Sequence, residues 1–137
     1  AELQFQVSNK NLLGSEQFGI GGHQTVRGYD AYQAVGDEGI LIRNEIRSPA
    51  MALLRHLNLD VPQEELQLLW FLDFGSVKNV DLLAGEGGTD LMSTGIGLRY
   101  AIAPYLTLRA DYGWQLKALS ATADESSRLH AGFVLAY

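Results

Sequence analysis

Leu66-Gln-Leu-Leu-Trp-Phe-Leu-Asp-Phe-Gly-Ser-Val77 reads as a single β-strand. Leu66, Leu68, Trp70, Leu72 and Phe74 fall on one face, and Leu69, Phe71, Asp73 and Gly75 on the other. An aspartate in the middle of an apolar strand needs a cationic partner, because a charge held away from water is costly unless paired. The candidate is Arg27, inside Gly19-Ile-Gly-Gly-His-Gln-Thr-Val-Arg-Gly-Tyr-Asp30, a stretch too rich in glycine for an ordinary helix or strand.

Period-two alternation extends outward from this strand over nearly the whole chain. Leu3, Phe5 and Val7 alternate with Gln4, Gln6 and Ser8; Ile40, Ile42, Asn44 and Ile46 alternate with Leu41, Arg43, Glu45 and Arg47, and Ser48-Pro49 ends that run. Ile96, Leu98 and Tyr100 stand opposite Gly95, Gly97 and Arg99, and Leu106 to Trp114 alternates with Thr107, Arg109, Asp111 and Gly113. The expected strands cover about 3–8, 39–48, 65–77, 91–100, 105–116 and 128–137. A long loop over 9–38 carries the glycine-rich motif; polar loops cover 78–90 and 120–127, and Ala101–Pro104 is a tight turn. Met51 to Leu59 has the spacing of a short amphipathic helix without good caps. The class is all-β and antiparallel, with about six strands.

Composition narrows the function. The 137 residues make one domain, with 15 glycines and 3 prolines that suit strand connections. A net charge of -6 argues against a nucleic-acid partner. Without cysteine there is no disulfide framework or thiolate metal site, and the three histidines lack metal spacing, so no metal or cofactor is expected. Ser127 near His130 lacks a nucleophile elbow and a matching acid, so no enzyme is expected either. Asp37-Glu38 and Asp124-Glu125 read as solvated loop charges. The beginning, Ala1-Glu-Leu-Gln-Phe-Gln, lacks the features of a signal peptide.

The two faces are unlike those of most soluble sheets. Arg43, Glu45, Arg47, Asp73, Arg99, Arg109, Asp111, Arg128 and His130 place charge within strands, on the less apolar face. The other face is apolar, with Trp70, Tyr100, Tyr112, Trp114 and Tyr137 expected at strand ends, as in the aromatic girdles of outer-membrane barrels. An antiparallel sheet with one wet face gives the same alternation. At the chain end, Phe133, Leu135 and Tyr137 share one face. That pattern is similar to the terminal-strand signal read by the barrel assembly machinery, and a core strand would read the same way.

Glu16-Gln-Phe-Gly-Ile-Gly-Gly-His-Gln-Thr-Val-Arg-Gly-Tyr29, Gly36-Asp-Glu-Gly39, Arg43-Asn-Glu-Ile46 and Phe71-Leu-Asp-Phe-Gly75 together resemble the C-terminal part of two-partner secretion transporters. These are the hemolysin secretion/activation proteins of ShlB, FhaC and HecB type, in the superfamily that includes BamA. The resemblance covers essentially the whole chain. It implies a transmembrane antiparallel β-barrel of sixteen strands, of which this chain matches the last six, preceded in the family by two POTRA domains and a short helix. The function implied is an outer-membrane pore that secretes a hemolysin- or adhesin-like partner protein in extended form. Outer-membrane lipid surrounds it, and the barrel assembly machinery inserts it. In the family a Val-Arg-Gly-Tyr loop tip folds into the barrel and its arginine pairs with the aspartate of a Phe-x-Asp-x-Gly strand. By position this assigns the anchor to Val26, Arg27, Gly28, Tyr29, Phe71, Asp73 and Gly75. His23 departs from what relatives often carry, and no role attaches to it.

Physical chemistry makes that assignment plausible. A bidentate, charge-assisted pair can offset the entropy lost on holding a loop, and breaking a buried pair costs roughly 3–5 kcal/mol. Gly28, with Gly21 and Gly22, can turn the tip; Tyr29 would pack on the wall with Phe71 as a contact; Gly75, Gly95 and Gly97 read either as wall space for the loop or as bulges. Arg43, Glu45, Arg47, Arg99, Arg109 and Asp111 read as lumen-facing charges, each solvated and individually silent. Six strands cannot close around a lumen of that size, so the chain reads as part of a longer one that alone would self-associate or need detergent. A BamA- or TamA-like assembly factor with a similar loop, and a soluble β-domain or membrane-barrel enzyme, are the other readings.

Overall fold

The computed structural model describes residues 1–52, 54, 63–80, 87–117 and 126–136. Among them lie β1 (Glu2–Gln6), β2 (Phe18–Ile20), β3 (Ala34–Gly36), β4 (Glu38–Arg47), β5 (Glu64–Lys78), β6 (Thr89–Ile102), β7 (Leu106–Gln115) and β8 (Ser127–Leu135). Six of these form one antiparallel sheet in the order β1-β4-β5-β6-β7-β8, while β2 and β3 pair separately. The large sheet is open, with β1 and β8 at its edges.

Register fixes what each face carries, since side chains alternate and cross-strand partners share a face. One face holds three adjoining rows. The first runs Arg43, Asp73, Ser93, Gln115; the second Glu45, Phe71, Gly95, Gly113, Arg128; the third Arg47, Leu69, Gly97, Asp111, His130. A fourth row brings Gln67, Arg99, Arg109 and Gly132 together. Residues 9–38 fold over this face. The buried apolar cluster of Ile20, Val26, Tyr29, Leu41, Val77 and Leu91 lies between loop and sheet.

The opposite face has no cover among the described residues. Leu68 is 49% exposed, Trp70 45%, Ile96 56% and Phe133 71%. An antiparallel soluble sheet buries its apolar face and wets its polar one; here the polar, charged face is the one enclosed. That is the arrangement of a membrane barrel wall. The apolar run on this face of β5 goes from Leu66 to Phe74, exposed at Leu68 and Trp70 and half-buried elsewhere, about 27 Å along the strand at roughly 3.4 Å per residue. Beyond Phe74 the same face turns polar: the Ser76 hydroxyl donates to one Asp90 carboxylate oxygen at 2.7 Å and the Lys117 ammonium to the other at 2.6 Å.

Three details differ from the sequence expectation. The loop over 9–38 is not wholly irregular, because β2 and β3 form a hairpin whose Phe18 ring covers Gly39 and whose Ile20 packs over Gly75. Aromatic residues are not all at strand ends: Trp70 and Tyr112 both pair with Ile96, in mid-strand, because β5 and β6 run to 15 and 14 residues. Tyr100 and Trp114 do lie toward opposite ends of the sheet. Of the helix expected over Met51–Leu59, Met51 instead bridges to Leu66, and most of the remainder lies outside the described residues. Tyr137 lies outside them too, while Phe133 and Leu135 stand exposed on the apolar face.

Candidate functional site

Two glycine turns aim Arg27 at the wall. Thr25 Oγ1 donates to the Gly21 carbonyl at 2.8 Å, and the Gly22 N–H donates to the Val26 carbonyl at 3.1 Å, so 21–26 closes on itself. At the tip, Gly28 has φ of 92°, and a Cβ there would sit 3.1 Å from the Gly113 carbonyl group. Only glycine meets both conditions without strain. Two glycine backbones, Gly28 on the loop and Gly113 on β7, are in contact where any side chain would force them apart.

The guanidinium of Arg27 is fully buried and has no bare edge. Its Nε and one terminal nitrogen donate to the two oxygens of Asp73 at 2.7 and 2.8 Å, and its backbone N–H donates to Asp73 at 3.2 Å. The other terminal nitrogen donates to Glu45 at 2.6 Å and lies 3.8 Å from Asp111. The flat face stacks on Phe71, 3.7 Å from the ring centroid. One cation therefore draws on three carboxylates from three strands: β4, β5 and β7. Such a bidentate, stacked arrangement suits the planar fork of arginine and not the point charge of lysine.

Each of those carboxylates also has an arginine on the wall itself. Glu45 accepts from Arg47 at 2.7 Å, Asp111 from Arg99 at 2.9 Å, and Asp73 lies 3.9 Å from Arg43 Nε. Small wall residues make room for the assembly. A Cβ on Gly95 would strike the Phe71 ring, one on Gly97 the Asp111 carboxylate, and one on Gly75 would press on Val26 and Ile20.

Backbone contacts complete the tip. The Gly28 N–H donates to His130 Nε2 at 3.3 Å, which places the ring proton on Nδ1, and Gln115 Nε2 donates to the Gly28 carbonyl at 2.7 Å. The Tyr29 hydroxyl reaches the Met92 and Lys117 carbonyls and accepts from the Met92 N–H at 3.3 Å. Asp30 pairs with Arg128, and the His23 ring lies 6.3 Å from that of His130.

A second fastening holds the base of the loop. Asp37 is fully buried; its carboxylate accepts from the Leu12 N–H at 2.8 Å, the Gln17 amide at 3.0 Å and the Val80 N–H at 3.0 Å. Those donors, led by the Leu12 N–H, hold its carboxyl below the ordinary aspartate value of 3.8 and outweigh the effect of burial. The expectation of a solvated loop charge at Asp37 is thereby corrected. One carboxylate satisfies donors from three separate segments, so it is structural. Its neighbour Glu38 is a half-buried partner of the exposed Lys78, at 2.8 Å.

Arg27, Asp73, Phe71, Gly75, Val26, Gly28 and Tyr29 are thus brought together around one point. Phe71 contacts the arginine, while Tyr29 belongs to the separate apolar cluster. Glu45 and Asp111 are partners of Arg27 and not silent solvated charges. Register supplies the missed signal, because Glu45 pairs with Phe71 and Asp111 with Gly97. Arg47, Arg99 and Arg109 also face inward, in the rows below the anchor, and Arg43 faces inward level with Asp73. Gln115 and His130 went unforeseen as tip ligands; nothing in local spacing marks them.

Neither the curated proteins nor the solved structures contain a match to this chain. The family model described as haemolysin secretion/activation protein ShlB/FhaC/HecB matches residues 1–100, which include the whole loop, Glu45 and the Asp73 strand. With most of the chain covered and an all-β sheet that fits part of a barrel wall, the protein belongs to the ShlB/FhaC/HecB family of outer-membrane two-partner secretion transporters.

Proposed function

We propose that these residues form the last six strands of a sixteen-stranded outer-membrane barrel, and that the loop over 9–38 is a gate held in its lumen by Arg27. One observation carries this reading. The enclosed face is the charged one, with Arg27 sealed against Asp73, while the apolar face stands bare. A partner protein of hemolysin or adhesin type crosses the lumen in extended form when the loop withdraws, driven by its own folding outside. No nucleotide, metal or other cofactor takes part, and nucleic acid is not a partner. Lipid covers the bare face, and the barrel assembly machinery reads Phe133, Leu135 and Tyr137 during insertion.

A loop in this position must be secure at rest and removable. Beside the apolar cluster around Ile20, Val26 and Tyr29, its hold is electrostatic and polar, a part that water and a competing chain can replace, whereas a purely apolar plug would resist wetting. A BamA- or TamA-like assembly role is the alternative, since its loop motif is similar; the run Glu16-Gln-Phe-Gly-Ile-Gly-Gly22 favours secretion.

The test uses cells carrying the full-length chain and its partner. Arg27→Ala should loosen the loop, so that antibiotics which the outer membrane normally excludes enter severalfold faster while the heat-modifiable barrel stays in the outer membrane. Unchanged antibiotic entry would remove the gate reading. If depleting the protein lowers other outer-membrane barrels and leaves partner secretion intact, the assembly reading replaces it.

A further inference from the structure

The fourth inner row has a feature that the anchor does not use. Arg99 and Arg109 stand directly opposite each other on β6 and β7, and like charges in such a pair are destabilising. Arg99 is relieved by Asp111. Arg109 is exposed, and no hydrogen bond or ion pair holds it among the described residues. Across the sheet Arg47 and Arg43 face the same hollow, a concavity of about 500 Å³ whose rim carries two acids, Glu2 and Glu45. Arg43 donates through Nη1 to Glu2 at 3.1 Å and to the Gln24 carbonyl of the loop at 3.0 Å, and its buried Nε has no hydrogen-bond partner among the described residues. Glu2 holds Arg43, Glu45 holds Arg47 and Asp111 holds Arg99, so the excess positive charge of the hollow is that of Arg109, in a chain whose net charge is -6.

Position gives this excess a direction. The loop enters at the Glu38–Lys78 end of the sheet, where β4 and β5 begin and end. Arg47, Arg99 and Arg109 lie toward the other end, near the turn joining Ile102 to Leu106. Arg47, Arg99 and Arg109 are therefore on the far side of the anchor from the loop's entry, while Arg43 is level with Asp73. Its cations are spread from β4 to β7, about 14 Å at roughly 4.8 Å per strand, which is too wide for one compact anion. An extended chain places side chains of one face about 7 Å apart, so carboxylates at alternate positions match the spread.

We propose that the Arg43, Arg47, Arg99 and Arg109 hollow is a docking site for an acidic stretch of extended polypeptide. It would engage the passenger before the loop lets go. This rests on the transport reading above for its occupant, but its binding chemistry can be measured separately.

The probe is a fluorescein-labelled peptide alternating glutamate with serine, titrated by anisotropy against the full-length chain in neutral detergent. A fluorescein-labelled lysine–serine counterpart is titrated separately, and inorganic phosphate serves as competitor. The glutamate peptide should bind and weaken with salt, the lysine peptide should bind far more weakly, and phosphate should not displace the glutamate peptide at matched charge. Arg109→Gln should weaken binding about fivefold and Arg109→Lys should restore most of it, with heat-modifiable mobility showing that both variants fold. Equal affinity for both peptides, no effect of Arg109→Gln, or displacement by phosphate at matched charge would overturn the proposal. Peptide binding with no partner secretion would sink the transport reading alone. Secretion without peptide binding would sink the docking site alone.

Discussion

Arg27 is best understood through its alternatives. Removing one member of a buried pair usually costs roughly 3–5 kcal/mol because a charge is left without compensation. Here Asp73→Asn leaves Arg27 with Glu45 at 2.6 Å, so the expected loss is about 3 kcal/mol, the low end of that range, in urea unfolding of the vesicle-inserted protein. Glu45→Gln should cost less than Asp73→Asn, since Glu45 contributes one bond to the arginine and Asp73 three. An unfolding series that reverses this order would show that Asp73 is not the principal acceptor. Exchanging charges as Arg27→Asp with Asp73→Arg should not restore what either change loses. An aspartate at position 27 would face Glu45 and Asp111 as well as the new arginine. Gly28→Ala is the steric counterpart: its positive φ and the 3.1 Å approach to Gly113 make it destabilise the docked loop, read as faster protease cleavage within 9–38.

At the scale of elements, the strands were legible in the sequence because alternation with period two is a local property. Asp73 was legible as one half of a pair for the same reason, an isolated charge within an apolar run. What was not legible depended on register. That Glu45, Asp111 and Gln115 converge on the loop follows from which residues stand opposite one another, and β6 could slide by two without changing its own pattern. The β2–β3 hairpin escaped because three-residue strands carry too few alternations to stand out. Asp37 escaped because Gly36-Asp-Glu-Gly39 has the composition of an ordinary turn, and only Leu12 and Val80 reveal its burial. Its depressed carboxyl gives the loop base a pH dependence of definite sign. Stability from Asp37 is present above the unfolded aspartate value near 3.8 and is lost as pH falls through the lower folded value. Proteolysis of 9–38 should therefore accelerate below about pH 4 in the parent protein, and Asp37→Asn should be cleaved faster at neutral pH with little further change on acidification. A parent profile flat down to pH 3 would exclude this role.

For the whole molecule the two faces make opposite predictions. Ile96 is at the centre of the exposed apolar face, between Trp70 and Tyr112. Ile96→Arg should cost about 2–4 kcal/mol in vesicle-inserted unfolding, as a cation at mid-depth on a lipid-facing surface does. Arg109→Gln, on the enclosed face, should change stability by well under about 1 kcal/mol. Comparable effects at the two positions would mean that the bare face is not in lipid.

The arginines beside the anchor have one more consequence. Asp73, Glu45 and Asp111 each keep a cation of their own on the sheet: Arg43 at 3.9 Å, Arg47 at 2.7 Å and Arg99 at 2.9 Å. In the proposed withdrawal of the loop, the three carboxylates left on the wall keep their own arginines, and only the departing guanidinium has to find a new environment. Water offers it one at once. The vacated channel is a neutralised surface with no exposed row of carboxylates to seize the next cation that passes.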